Sequence, residues 1–132
     1  MINVIDCYQT SRLFKDSQLE KQAEELLDIV LKGLSCEMPI ELGNGLLGTA
    51  CGVIYLLQHQ YVDGDADEIL AEVDHFLFWQ LTCRPDEAIA NWADWLYYFR
   101  IRILCNREPT NCLSEIIFRQ NLIFLLDRLT NA

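Results

Sequence analysis

An apolar segment with regularly spaced glycines constrains the fold of this chain more than any other feature. Gly45, Gly48 and Gly52 are spaced three and four residues apart, and the positions around them, through Leu57, are almost all apolar. On a helix this spacing puts the three glycines on one face. A glycine inside a helix costs about 1 kcal/mol relative to alanine. Three on one face therefore predict a close approach by another backbone or by a ligand.

Helical periodicity extends through most of the chain, and no segment alternates as a half-buried strand would. The first periodic segment begins with the capping box Ser17-Gln18-Leu19-Glu20 and ends before Gly33. The predicted helices cover approximately residues 17–32, 45–60, 65–81, 85–104 and 111–129. We therefore predict an all-α protein of about five helices.

The distribution of apolar residues predicts how these helices pair. The second and fourth helices are apolar nearly all round, whereas the other three have one apolar face. Helical hairpins stacked side by side place one helix of each pair inward and the other outward. The pattern thus predicts antiparallel helical hairpins in a single domain over residues 1–132, with an unrelated five-helix bundle as the alternative.

The charge balance limits the classes of partner. The chain has 20 acidic and 10 basic residues, a net charge of −10, which repels nucleic acid and anionic membrane surfaces. Its start has no basic and apolar leader, and no segment reaches the ~18 consecutive apolar residues of a membrane span. We expect a cytoplasmic protein that binds neither nucleic acid nor membranes.

The cysteines and histidines predict no metal site or cofactor. The six cysteines are irregularly spaced, and reduced thiols are the expected state in the cytoplasm. No CxxC or HxxxH motif occurs, and His59 and His75 lie on different predicted helices. Cys51 follows the start of the glycine-rich helix, where a helix dipole can activate a thiol. No histidine lies near it in sequence to act as a base, so a buried, inert thiol is the favoured interpretation.

An acidic turn lies between the second and third predicted helices. Asp63-Gly64-Asp65-Ala66-Asp67 resembles the opening of a calcium loop, but Glu68 stands where that loop needs glycine, and Asp74 stands where it needs a bidentate glutamate. A helix-capping turn, with acidic side chains near a helix N-terminus, is the favoured alternative.

Aromatic side chains surround an acidic residue on the fourth predicted helix. A ligand or partner could be bound there by a set of five residues: Trp92, Asp94, Trp95, Tyr98 and Arg102. Asp94 would be a carboxylate among rings, and Arg102 could grip a partner carboxylate. The alternatives are an aromatic core and pairing of the arginine with the chain's own acidic residues.

The run Gly45-Leu46-Leu47-Gly48-Thr49-Ala50-Cys51-Gly52, with residues 61–70 behind it, resembles the repeat unit of lanthionine synthetase C-like proteins. In that family an inner helix opens with a GxxG segment, an outer helix follows, and the hairpins close into an α/α toroid. The catalytic members bind zinc through Trp-Cys-Tyr-Gly-like and Cys-His-Gly motifs, which this chain lacks. The resemblance therefore implies a short arc of hairpins without the zinc site.

Two functions remain open from the sequence. The favoured one is a non-catalytic helical module that binds a protein or peptide, accessory to peptide modification as the resemblance implies, and that forms a homo-oligomer or a hetero-complex. The alternative is a degenerate toroid enzyme completed by a second copy of the chain, with Cys51 or Asp94 in the reaction. The absence of paired catalytic, phosphate-cradling or metal-binding motifs favours binding.

Overall fold

The computed structural model describes residues 1–34, 38–43, 45–105 and 112–131. All regular structure in these ranges is α-helical, which confirms the predicted class. The described ranges contain eight helices: α1 Ile2–Phe14, α2 Ser17–Lys32, α3 Leu46–Gln58, α4 Ala66–Ile69, α5 Ala71–Cys83, α6 Pro85–Ala90, α7 Trp92–Cys105 and α8 Cys112–Thr130. The chain divides into two compact units, Met1–Gly64 and Asp65–Ala132. The single domain stays a prediction.

Helix α1 has no counterpart among the five predicted helices. It has no side-chain N-cap, and its apolar residues do not share one face, because Ile2 and Leu13 are exposed while Val4 and Tyr8 are buried. The helix is held by packing of Val4 and Tyr8 in the core of the first unit rather than by a sequence pattern. Periodicity alone could not reveal it.

A two-residue turn joins α1 to α2. Lys15 adopts the left-handed conformation, with φ of 51°, and the Asp16 N–H donates to the Ser11 carbonyl at 2.9 Å. The Asp16 carboxylate then accepts from the backbone N–H groups of Gln18, at 3.0 Å, and Leu19, at 3.4 Å. The N-cap is therefore Asp16, so the prediction that Ser17 caps this helix is wrong by one residue.

The loop over residues 38–43 lies against the first turn of α3. The Leu46 N–H donates to the Pro39 carbonyl at 2.8 Å, and the Gly48 N–H donates to the Glu41 carbonyl at 3.1 Å. Two of the N–H groups that a helix start leaves without an intrahelical acceptor are satisfied in this way. The loop thereby does for α3 what a capping side chain does for α2.

The three spaced glycines, Gly45 at the N-cap of α3 and Gly48 and Gly52 within it, lie where a side chain would collide with the surrounding structure. A Cβ at Gly45 would meet the Pro39 carbonyl oxygen, and one at Gly48 would meet the carbonyl oxygens of Leu42 and Gly43. A Cβ at Gly52 would instead overlap the Met1 side chain. The backbone that approaches Gly45 and Gly48 is thus the preceding loop.

Arg12 of α1 holds the end of α3. Its two terminal nitrogens donate to the carbonyl oxygens of His59 and Gln60, each at 2.9 Å. Its guanidinium carbon lies 3.8 Å from the centre of the Tyr61 ring. A cation at a helix C-terminus also interacts favourably with the helix dipole, so one side chain fixes α1 against the last turn of α3.

The second unit contains two breaks that divide predicted helices. The third predicted helix is interrupted at the buried residue Leu70, between α4 and α5, and the fourth at Asn91, between α6 and α7. The residue at each break accepts a hydrogen bond from the first turn of the next helix, because the Asp74 N–H donates to the Leu70 carbonyl at 2.8 Å and the Trp95 N–H donates to the Asn91 carbonyl at 3.3 Å. Together with α1, these divisions account for eight helices in place of five.

Aromatic rings fill the core of the second unit. The Phe118 ring of α8 lies 5.2 Å from the Phe78 ring of α5 and 6.2 Å from the Phe99 ring of α7. The Trp95 ring lies 5.9 Å from that of Phe99 in an edge-to-face arrangement. These contacts hold α5, α7 and α8 together. None of the helices in the described residues has the length and apolar content needed to cross a bilayer.

Candidate functional site

A shallow depression opens on the second unit between α6 and α8. Its volume is about 520 Å³, within the usual range of ligand pockets. The residues that line it are Asp86, Ile89, Phe124, Asp127, Arg128 and Asn131. The lining combines two apolar side chains, Ile89 and Phe124, with two carboxylates, one guanidinium and one amide. This composition suits a ligand that carries both an apolar group and polar groups.

Local structure positions the charged side chains of this depression. Asp86 lies in the first turn of α6, directly after Pro85 at the helix start, which is a position that a carboxylate favours. Arg128 lies in the last turn of α8, where a cation is favoured, and its guanidinium carbon lies 5.2 Å from the centre of the Phe124 ring. The apolar floor and the cation are therefore held together.

The structure divides the five residues predicted to bind a ligand or partner. Trp95, Tyr98 and Arg102 are fully buried on the inner side of α7, while the Trp92 side chain is 50% exposed at its start. Asp94 is partly buried and makes an interaction within the chain. The five therefore do not form one surface, and the binding role given to them stays a prediction.

Arg102 lies within a buried polar cluster. Its Nη2 donates to Asp74 Oδ2 at 2.8 Å and to Asp67 Oδ1 at 2.5 Å, and the Tyr98 hydroxyl donates to Asp74 Oδ1 at 2.5 Å. The alternative considered for Arg102, pairing with the chain's own carboxylates, is thus observed. We call these four side chains the Arg102 cluster.

Burial dominates the electrostatics of the Arg102 cluster. Removal from water raises the pKa of Asp74 above its ordinary value, an effect that Arg102 and the Tyr98 hydroxyl oppose and that the Asp67 carboxylate reinforces. One arginine pairs with two carboxylates in a region of low polarity. The pKa of Arg102 is raised by its carboxylate partners in spite of its burial, and it stays charged.

Three buried N–H donors near the Arg102 cluster have no hydrogen-bond acceptor among the described residues. They are Arg102 Nε, Arg102 Nη1 and Trp95 Nε1. The Arg102 guanidinium carbon lies 4.8 Å from the centre of the Phe118 ring, so the ring face stabilises part of this charge in place of an acceptor. The cluster holds α4, α5 and α7 together.

The acidic turn before α4 acts as a cap. Asp65 is the N-cap residue, and its carboxylate accepts from the Asp67 N–H at 2.9 Å, as the favoured alternative to a calcium loop predicted. Asp67 itself turns toward Arg102. No group of three or more potential metal ligands occurs in the part of the chain that the structure describes.

Cys51 has the chemistry of a buried thiol. Burial raises its pKa to about 11, so the reactive thiolate is scarce at neutral pH. His59 and His75 are both exposed, and the His59 ring packs beside Tyr55, with 4.1 Å between the ring centres. These residues contribute no activated nucleophile within the described chain.

Sequence reasoning missed Asp74 and the depression between α6 and α8. Asp74 had a recognisable signal, because it lies on the same face of its helix as the buried residues Leu70 and Leu77. A carboxylate on an apolar face requires a buried partner, and Arg102 stood on the apolar face of α7. No sequence pattern could predict the depression, because its position depends on where α6 packs against α8.

Comparison with known proteins identifies no relative: no family model, no curated protein and no solved structure matches this chain.

Proposed function

We propose that this protein is a non-catalytic helical module that binds a protein or peptide segment in the depression between α6 and α8. The observation that carries the proposal is the lining of that depression, in which Ile89 and Phe124 form an apolar floor beside Asp86, Asp127 and Arg128. A peptide-binding surface usually combines apolar and polar side chains in this way.

The lining also defines the class of peptide. An apolar side chain of the ligand would lie on Ile89 and Phe124, and a lysine or arginine would pair with Asp86 or Asp127. A carboxylate could pair with Arg128, which retains its donors while stacked on Phe124. Because the depression is open and shallow, we expect a short segment with one apolar anchor next to a basic residue.

Trp92 belongs to the same proposal. It begins α7 three residues after Ile89, and its half-exposed indole is the type of side chain that contributes strongly to protein interfaces. We therefore include Trp92 in the binding surface. The three buried members of the predicted set, Trp95, Tyr98 and Arg102, are given a supporting role, because they fix the helix that carries Trp92.

The arrangement of the hairpins is the finer part of the proposal. We include in it a partial α/α arc of the kind that the resemblance to lanthionine synthetase C-like proteins implies, accessory to peptide modification. Its support is the glycine-rich start of α3 and the packing of α1 on α2 and of α7 on α8. A crystal structure with the helices in an unrelated order around a closed bundle would contradict this part alone.

The binding proposal is tested with peptides selected from a random display library on the purified protein. Isothermal titration of a selected peptide should give a Kd that Ile89→Glu weakens at least about tenfold, because the substitution puts a charge on the apolar floor. Trp92→Ser should weaken binding as well, by removing an aromatic contact.

Trp79→Ser is the matched control, since Trp79 is 48% exposed on α5 and does not line the depression. It should leave the Kd within about twofold. Peptide binding that is unchanged by Ile89→Glu, or that responds equally to both tryptophan variants, would contradict the proposal. A library from which no peptide binds the purified protein would also contradict the proposal.

A further inference from the structure

A second depression lies on the first unit, where the turn between α1 and α2 meets the residues that follow α3. Its volume is about 460 Å³, within the usual range of ligand pockets. The last turns of α1, the start of α2 and the residues Gln60 and Tyr61 line it, and we call it the α1–α2 notch. It shares no lining residue with the depression between α6 and α8, so its ligand does not depend on the peptide site proposed above.

The Tyr8 hydroxyl is a buried polar group without a hydrogen-bond partner among the described residues. Tyr8 lines the notch, although only 1% of its surface is exposed. Burial raises the pKa of Tyr8 to about 12, and the carboxylates of Glu24, Glu20 and Asp28 add to this effect. The hydroxyl is therefore neutral at physiological pH. An unpaired buried hydroxyl costs free energy, and a ligand group that forms a hydrogen bond with it recovers that cost.

The acidic side chains near this hydroxyl favour a cationic ligand group. Three carboxylates of α2 act on the Tyr8 hydroxyl, and one of them, Glu20, also lines the notch. Glu20 forms no ion pair with a cation in the described part of the chain. An ammonium group that enters the notch can donate to the Glu20 carboxylate and to the Tyr8 oxygen. Hydrogen bonds of this charged kind are stronger than those between neutral groups.

Two cations line the same notch, and one of them has no partner. Arg12 is engaged with the carbonyls of His59 and Gln60. Lys15, in contrast, forms no ion pair with any described carboxylate, not even with Glu20 in the same notch. One unpaired positive charge and one unpaired negative charge therefore line a single depression. A ligand that carries both charges can pair with both residues at once.

We propose that the α1–α2 notch binds a small zwitterion, a free α-amino acid. The ammonium group of the ligand donates to the Glu20 carboxylate and the Tyr8 hydroxyl oxygen, and its carboxylate accepts from the Lys15 ammonium. A ligand with only one of these charges leaves either Lys15 or Glu20 unpaired. Because both residues are exposed and exposed ion pairs are weak, we expect a Kd of about 0.1–1 mM.

Titration of the isotope-labelled full chain with each common L-amino acid tests the proposal by nuclear magnetic resonance. Amide signals of the residues that line the notch should shift, and the amino acid with the lowest Kd is then compared with two derivatives. Its methyl ester lacks the carboxylate, and its N-acetyl form lacks the ammonium group. Each should bind at least about tenfold more weakly. A derivative that binds as tightly as the free amino acid would overturn the zwitterion.

Substitutions in matched pairs test the assigned contacts. Glu20→Gln should raise the Kd at least about tenfold, whereas Glu25→Gln, at an exposed residue of α2 outside the notch, should leave it within about twofold. Lys15→Gln and its control Lys21→Gln should differ in the same way. Tyr8→Phe should also raise the Kd, and its fold should persist because the hydroxyl has no described partner to lose.

Three results would overturn the proposal. The first is that no amino acid shifts the signals of the notch. The second is that the variants within each matched pair have equal effects. The third is that Tyr8→Phe, shown to be folded by its amide spectrum, binds as tightly as the wild-type protein.

Discussion

Gly48 is a residue at which one added methyl group should have a large effect. Alanine is favoured over glycine in a helix by about 1 kcal/mol, but a Cβ at Gly48 would collide with the carbonyl oxygens of Leu42 and Gly43. Backbone atoms cannot turn aside as a side chain can. Gly48→Ala should therefore lower the melting temperature measured by circular dichroism, and Gly48→Leu should lower it further. The overpacking in each variant should reduce the free energy of unfolding by about 1–3 kcal/mol or more.

Gly43→Ala is the control for this prediction. No atom lies within 4 Å of the position its Cβ would occupy, so the added methyl group meets nothing, and the melting temperature should stay within about 2 °C of the parent value. If Gly48→Ala melted at or above the parent temperature, helix propensity would outweigh the loop contact, and the close approach would not explain this glycine.

Arg102 should be more important for stability than any other charged residue of the second unit. Its removal leaves the buried carboxylate of Asp74 without its cation, next to Asp67. Arg102→Met should therefore reduce the free energy of unfolding at pH 7 by about 3–5 kcal/mol. Urea unfolding followed by tryptophan fluorescence measures this directly, because all three tryptophans lie in the second unit.

The loss caused by Arg102→Met should shrink as the pH falls. Without the cation the folded-state pKa of Asp74, already raised by burial, rises further above the unfolded value of about 3.9. A carboxyl group with a raised folded pKa binds its proton more tightly in the folded state, so its contribution to stability grows as the pH falls through that pKa. Between about pH 7 and pH 5, the free energy of unfolding of Arg102→Met should therefore move part of the way back toward the wild-type value.

Arg100→Met tests whether these effects belong to the Arg102 cluster or to the loss of any arginine from α7. Arg100 is exposed on the same helix, and its replacement should change the free energy of unfolding by no more than about 0.5 kcal/mol at either pH. An Arg102→Met deficit that is equally large at both pH values would mean that Asp74 does not carry the buried charge.

At the scale of elements, α1 depends on its contact with the end of α3. Arg12→Lys keeps the positive charge but loses the bidentate bond to the His59 and Gln60 carbonyls and the stacking on Tyr61. We expect faster amide hydrogen exchange in the last turn of α3, corresponding to about 1 kcal/mol of local stability. Lys21→Arg on the exposed face of α2 is the control and should leave the exchange unchanged. Unchanged exchange in the Arg12→Lys variant would show that the Arg12 contacts do not hold the end of α3.

The sequence predicted an element well where its apolar pattern and its packing agree. Helices α2, α3 and α8 were placed to within about two residues because one stripe or one apolar run marks each of them. Helix α1 was missed because Val4 and Tyr8 are too few to form a stripe. The interruptions at Leu70 and Asn91 were missed because the apolar pattern continues through both residues, and only tertiary contacts decide where such a helix bends.

For the whole molecule, composition and pattern predicted the helical class but could not predict the candidate site. The depression between α6 and α8 brings Asp86 and Ile89 close to residues about 40 positions later in the chain, and the pairing of Asp67 with Arg102 spans 35 residues. Contacts over such distances depend on how the helices pack, and no local pattern records them. The five proposed binding residues of α7 were identified from their types, which could not separate the exposed Trp92 from its buried neighbours.

The contact between the loop over residues 38–43 and the first turn of α3 has a consequence for how the chain acquires its structure. The atoms that meet at Gly48 come from residues only five and six positions earlier, so closing this contact costs little chain entropy. It needs nothing from the second half of the polypeptide. On the ribosome, the start of α3 can therefore be fixed before Tyr98 and Arg102 have been translated.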